Sequence, residues 1–289
     1  MNSTRINGLK YIASQYDTFV IDIWGVLHGG GPVYPEALHC LNKIQELNKK
    51  IIFLSNAPRL SKNVYQILIE KGMPDLLCKN IITSGEATLM ALVKRTKEIP
   101  ENLGTRYFII GPKSENLLHT TNYTSVKEVK DADFFLAIGL NSNTNSIEEH
   151  EELLVDGVSN QLKMICVNPD IKVLRFGKSE LCAGALATRY KKIGGDVIYF
   201  GKPYSFIYSL CVNDITELNK ERLLCIGDGL KTDILGANKF GTDSLLITGG
   251  LMSEKNKSIQ GSSVNKQEIE RACKEANVTT KWFAENLCW

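Results

Sequence analysis

The sequence predicts an α/β fold built on parallel sheet, and three observations carry that expectation. Short apolar runs rich in β-branched and aromatic residues recur along the whole chain. They are apolar on both alternations, as strands buried on both faces are. Segments of helical period lie between them with short connections, which is the strand–helix alternation of α/β proteins.

In chain order the candidate strands are TFVIDIW (18–24), KIIFLSN (50–56), NIITSG (80–85), RYFIIG (106–111), FFLAIG (134–139), KMICVNPD (163–170), DVIYFGKP (196–203), RLLCIGDG (222–229) and SLLITGG (244–250). The candidate helices are 35–50, 59–72, 84–97, 145–158, 182–195 and 204–215. The stretch 253–267 is polar and reads as a loop, with a short helix over about 265–277 after it. The tail WFAENLCW (282–289) is apolar enough to pack on the body of the protein. Right-handed crossovers place all the loops that follow the strands on one rim, where open parallel sheets bind ligands.

Composition sets outer bounds. The 289 residues are 43% hydrophobic and 23% charged, with 34 basic against 32 acidic side chains. No basic block marks a nucleic-acid or membrane surface. No apolar run reaches the roughly 18 residues of a transmembrane helix, and the N-terminus lacks an apolar targeting segment, so a cytoplasmic protein is expected. The eight cysteines form no Cys-x-x-Cys pair, which argues against zinc and for free thiols in a reducing compartment.

Polar residues gather at the strand exits: Asp22, Ser55 with Asn56, Lys202 and Asp228. Each alone reads as a helix cap or a turn. Together they read as a site. A carboxylate ending a buried strand is costly to ionise without a partner, and Asp22 is bracketed by Val20, Ile21 and Ile23. In GDGLKTD (227–233), Asp228 follows an apolar strand and Asp233 falls in the first turn of the next helix. Three such carboxylates make a pocket of hard oxygen donors, the ligands Mg²⁺ prefers, and they repel one another without a cation. Lys202 brings a point charge suited to carboxylate and phosphate. Ser55 and Asn56 offer donors to phosphate oxygens. Phosphoryl transfer through an aspartyl-phosphate uses this set.

At this point the chain resembles the haloacid dehalogenase superfamily, in its class IIA branch of N-acetylglucosamine-6-phosphatase-like and p-nitrophenylphosphatase-like proteins. The resemblance rests on DIWGVLHGGGPVYPEA (22–37), FLSNAPR (53–59), ITSGEAT (82–88), VNPD (167–170), GKP (201–203) and GDGLKTDILGA (227–237), in that order. It implies a Rossmann-like parallel-sheet core, residues 1–87 and 198–289, with an inserted α/β cap domain over 88–197. It implies Mg²⁺ and a small phosphorylated metabolite as substrate. Asp22 would be nucleophile and metal ligand, with Asp228, Asp233 and the Trp24 carbonyl completing the metal set. Lys202 and Ser55 would hold the phosphoryl group beside Asn56, and Asn168 and Asp170 would face the site from the cap. A homodimer formed through the cap is a further implication.

One position departs from the branch. Its first motif is usually Asp-x-Asp, with the second Asp as general acid and base; here Trp24 stands there, and indole shuttles no proton at neutral pH. A positioned general acid contributes about 10²–10⁴-fold in rate. The alternative reading is therefore a phosphate- and metal-binding or regulatory protein that is catalytically weak or has lost turnover. His28, in GVLHGGG (25–31), is a candidate replacement acid or base, against a plain role in loop packing. Lys113, Ser114 and 141–145 are candidate pocket loops, and Arg175 and Lys178 are candidates to meet a second anionic group, against solvated surface.

Overall fold

The computed structural model describes residues 3–141, 146–176, 178–213, 215, 217–251 and 265–289. Each of the nine apolar runs contains a strand. Among the described residues, seven strands form one sheet in the order Thr4–Arg5, Trp282–Ala284, Asp243–Ile247, Leu223–Gly227, Thr18–Asp22, Lys50–Ser55 and Ile81–Thr83. All six pairings are parallel. A second parallel sheet orders Asp196–Tyr199, Lys163–Cys166, Phe134–Ala137, Arg106–Ile110 and Thr124–Ser125. Lys172–Arg175 and Lys178–Leu181 pair antiparallel as a separate two-stranded ribbon.

Both sheets are covered on both faces, which is why their strands lack a polar alternation. In the first sheet, Phe19, Ile21, Phe53, Leu224 and Ile226 pack with Leu41 and Ile44 of the Pro35–Glu46 helix. The alternate residues Val20, Ile52, Leu54, Leu223 and Cys225 pack with Ile207 and Tyr208 of the Ser205–Val212 helix. The second sheet repeats the arrangement: Phe134, Leu136 and Ile165 face one cluster, and Phe135, Ala137 and Met164 face another with Leu186 and Tyr190. All eight cysteines are free thiols, as the spacing predicts, and seven are buried. No helix among the described residues is long and apolar enough to cross a membrane.

The six predicted helices are present in shortened form, and Lys266–Ala276 closes the set with an Asn265 capping box. Of the expected loop 253–267, residues 253–264 lie outside the described residues, as do residues 142–145, and Lys266 already begins the helix. The tail does more than pack. Trp282–Ala284 is a strand between Asp243–Ile247 and Thr4–Arg5, so a tripeptide too short for a periodic signal joins both ends of the chain to one sheet edge.

Candidate active site

Register sets the site. Ile21 pairs with Ile226 and Asp22 with Leu54, so Asp22, Asp228 and Ser55 all emerge at the carboxyl edge of three adjacent strands. Asp233 enters from the turn Leu230–Ile234, a single wide π-helical turn before the Leu235–Phe240 helix. Asp22, Asp228 and Asp233 are each no more than 6% exposed, and one oxygen from each lies within 4.8 Å of the others. Two glycines permit the approach. Gly25 has φ +86°, a left-handed conformation, and a Cβ there would run into the Asp228 carboxylate; one at Gly227 would strike Asp233.

The carboxylates are individually anchored. Asp233 Oδ2 accepts from the Gly229 N–H at 3.0 Å and the Thr232 hydroxyl at 3.2 Å. Asp228 Oδ2 accepts from the Leu251 N–H at 2.8 Å. The buried Lys202 ammonium donates to Asp22 and, at 2.7 Å, to Asp233 Oδ1. Burial raises the pKa of Asp22 well above the usual carboxylate range; Lys202 opposes the shift, and Asp233 and Asp228 add to it. Asp228 is pushed up to about 7, first by burial and then by Asp233. For Lys202, burial works against the charged form, but Asp22, Asp233 and Asp170 outweigh it and hold the ammonium charged. Three carboxylates against one ammonium leave an excess of negative charge in a buried pocket of hard oxygens, and a divalent cation such as Mg²⁺ fits that donor set.

Asn56 ties the neighbouring loops together. Its Oδ1 accepts from the Lys202 backbone N–H at 2.7 Å, and its Nδ2 donates to Asp170 Oδ1 at 2.9 Å and to the Lys202 carbonyl at 3.2 Å. Asn168 Oδ1 accepts from the Asp170 N–H at 3.0 Å. Burial raises the Asp170 pKa, against the pull of Lys202 and the Asn56 hydrogen bond. Ser55 Oγ accepts from the Ala57 N–H at 3.1 Å, which leaves its own proton for a ligand. These residues, with Trp24, line one cleft of about 610 Å³, a size typical of small-molecule sites.

Trp24 is held by the ribbon. Its Nε1–H donates to the Leu174 carbonyl at 2.8 Å, and the Arg175 guanidinium carbon lies 4.8 Å from the indole centroid. His28 packs edge-on against the same indole at 4.8 Å. It is 2% exposed, and its Nδ1 accepts from the Gly30 N–H at 3.1 Å. Burial first, then Lys71 and Arg175, push its pKa down to about 4. Trp24 lines the cleft and His28 does not, so the histidine holds the loop rather than facing the carboxylates. Arg175, Lys178 and Asn141 reach the cleft, whereas Lys113 and Ser114 give way to their neighbours Pro112 and Glu115. Sequence reasoning missed the Arg59–Glu115 ion pair of 2.8 Å in the lining. Arg59 closes the FLSNAPR motif, which was the one available signal; Glu115 carried none.

Comparison with known proteins places this geometry in context. Residues 19–134 match the family described as haloacid dehalogenase-like hydrolase, and residues 199–267 match the HAD-hydrolase-like family. The chain is 26% identical to the ribonucleotide monophosphatase NagD of Escherichia coli over 236 residues, which cover 81% of this chain and 88% of that protein. It is 24% identical to a dihydroxyacetone phosphatase of Corynebacterium glutamicum, with 82% of each covered. Among solved structures, a haloacid dehalogenase-like hydrolase from Brucella suis superposes with a TM-score of 0.83 at 28% identity, covering 98% of this chain and 99% of the other. A p-nitrophenyl phosphatase from Archaeoglobus fulgidus shares the fold, with a TM-score of 0.69 at 19% identity and 94% and 97% coverage.

Proposed function

The chain belongs to the haloacid dehalogenase-like hydrolases, and from that premise we propose that it is a Mg²⁺-dependent phosphatase of small phosphorylated metabolites, working through Asp22. One observation carries the reading: three buried carboxylates whose oxygens lie within 4.8 Å of one another share a cleft with a buried lysine paired to two of them. The named phosphatases among the relatives support it.

In this reading Asp22, Asp228 and Asp233, with the Trp24 carbonyl, hold the metal. Bound there, the metal neutralises carboxylate and phosphate charge that would otherwise keep nucleophile and substrate apart. Lys202 and Ser55 take phosphoryl oxygens, with Asn56 fixing the Lys202 backbone. An Asp22 oxygen attacks phosphorus as the ester P–O bond breaks, giving an aspartyl-phosphate and an alkoxide that takes a proton from water. Water then cleaves the acyl phosphate, releasing phosphate and restoring Asp22.

Trp24 sets the rate pattern. Its single donor is engaged by Leu174, so no side chain at that position delivers the proton. Esters with good leaving groups, such as p-nitrophenyl phosphate, are expected to turn over faster than alkyl phosphates, by a factor approaching the roughly 10²–10⁴ that a general acid supplies. The same engagement supports a second reading, a phosphate-binding protein without turnover. A phosphate-ester panel with Mg²⁺, run on wild type, Asp22→Asn and Trp24→Asp, separates the two. Turnover by wild type that Asp22→Asn abolishes supports the enzyme. Inert wild type with hydrolysis gained in Trp24→Asp supports the binding protein.

A further inference from the structure

Besides the three carboxylates and Lys202, the cleft lining holds further charged side chains. It carries Arg59, Lys172, Arg175 and Lys178 against Glu115 and Glu180. Arg175 is firmly placed, because the ribbon's Leu174 and Arg175 and the Phe176 that follows them are tied to the loop that follows Asp22. The Leu174 carbonyl accepts from Trp24 Nε1–H at 2.8 Å. The Arg175 guanidinium lies over the Trp24 ring at 4.8 Å. The Phe176 N–H donates to the Gly29 carbonyl at 3.1 Å. Arg175 Nε donates to Glu180 at 2.8 Å across the ribbon. Its two terminal amino groups make no hydrogen bond among the described residues.

A guanidinium fixed in plane by an aromatic face and by one carboxylate on Nε is a preorganised fork. Such a fork matches the two oxygens of a carboxylate or a phosphate, and the ring quadrupole favours the cation where it sits. We propose that Arg175, seated on Trp24, recognises a second oxyanion of the substrate, distinct from the reacting phosphoryl group, so that the preferred substrates are phosphomonoesters carrying a second acid. Trp24 is then a positioning residue: the indole that displaces a proton donor holds the recognising arginine instead. The inference rests on the phosphatase reading for the reacting end of the substrate.

The test is a series of alkyl phosphates of increasing chain length, each ending in hydroxyl, carboxylate or a second phosphate, assayed with Mg²⁺. At the chain length that spans the cleft, an acid-terminated ester should exceed its hydroxyl partner by about tenfold in kcat/KM, mainly through KM, as a charge-assisted hydrogen-bonded pair gives. Carboxylate against phosphate endings tells which oxyanion is preferred. Arg175→Ala should bring the ratio to about one. Arg175→Lys, a charge without the planar fork, should fall between. Trp24→Phe keeps the ring and should keep most of the ratio, whereas Trp24→Leu removes the face and should lose it through KM. Equal kcat/KM for all three endings in wild type at every length overturns the proposal, and so does an Arg175→Ala loss that is the same for every ending. If wild type hydrolyses no ester, p-nitrophenyl phosphate included, the phosphatase reading fails instead. Calorimetric binding of the same series then decides recognition, by the presence or absence of a tenfold preference that Arg175→Ala removes.

Discussion

Asn56 shows how one side chain can hold a site in register. Its amide joins the second strand exit to the Lys202 backbone and to Asp170, residues more than a hundred positions away. Asn56→Ala leaves a buried N–H and a buried carboxylate without that partner, at a cost of about 1–3 kcal/mol for each group abandoned. Thermal melts followed by circular dichroism should show a lower midpoint, and turnover should fall as Lys202 loses its anchor. Asn56→Asp should melt lower still, because it sets a second carboxylate against Asp170. Residues of this kind explain what was readable in advance. Asp22 and Asp228 stand out because a charge at the end of an apolar strand is conspicuous in one dimension, and Asp233 follows Asp228 within the short motif GDGLKTD. The Trp24–Leu174 and Arg59–Glu115 partnerships join residues 150 and 56 positions apart, and no local pattern marks them.

At the level of elements, the join between Ile81–Thr83 and the Ser84–Lys94 helix is a tight seam near the site. Thr83 caps the helix, accepting from the Glu86 N–H at 3.0 Å and donating to the Arg59 carbonyl at 2.6 Å. A Cβ on Gly85 would lie within 2.7 Å of Arg59 backbone atoms. Helix propensity alone favours alanine over glycine by about 1 kcal/mol, but overpacking against backbone costs about 1–3 kcal/mol. Gly85→Ala should therefore lower stability, with a urea midpoint below wild type; a midpoint above it would show that the seam yields. Core strands were legible because burial on both faces leaves an unbroken apolar run. The ribbon was not, since KVLR (172–175) and KSEL (178–181) are charged and half exposed. Its conformation is set by what it touches at Trp24 and Gly29, not by its own periodicity. The Trp282–Ala284 strand was hidden for a simpler reason, its length.

For the molecule as a whole, the acidic pocket makes stability depend on what occupies it. Burial raises both Asp22 and Asp228, and without a cation the repulsion among the carboxylates adds to that rise. Mg²⁺ at a hundredfold excess over its dissociation constant should add about 2.7 kcal/mol, seen as a rise of several degrees in melting temperature. Asp228→Asn should behave in two opposite ways: a higher midpoint than wild type in chelator, and no further rise with Mg²⁺. A variant that still responds to Mg²⁺ like wild type would place the metal elsewhere.

The strand order of the first sheet also carries a consequence for biosynthesis. Leu223–Gly227 is inserted between Thr18–Asp22 and Asp243–Ile247, so one neighbour of Thr18–Asp22 is translated only after Lys50–Ser55, Ile81–Thr83 and the whole second sheet. Every strand of the second sheet lies within 106–199 and leaves the ribosome before that neighbour does. The inserted sheet can close on itself while Thr18–Asp22, Lys50–Ser55 and Ile81–Thr83 still present an apolar, unpaired edge. That edge stays open until Leu223–Gly227 emerges, an interval in which a nascent chain is exposed to misassembly and to chaperone capture. Asp22 meets its two companion carboxylates only after residues 223–233 have been translated.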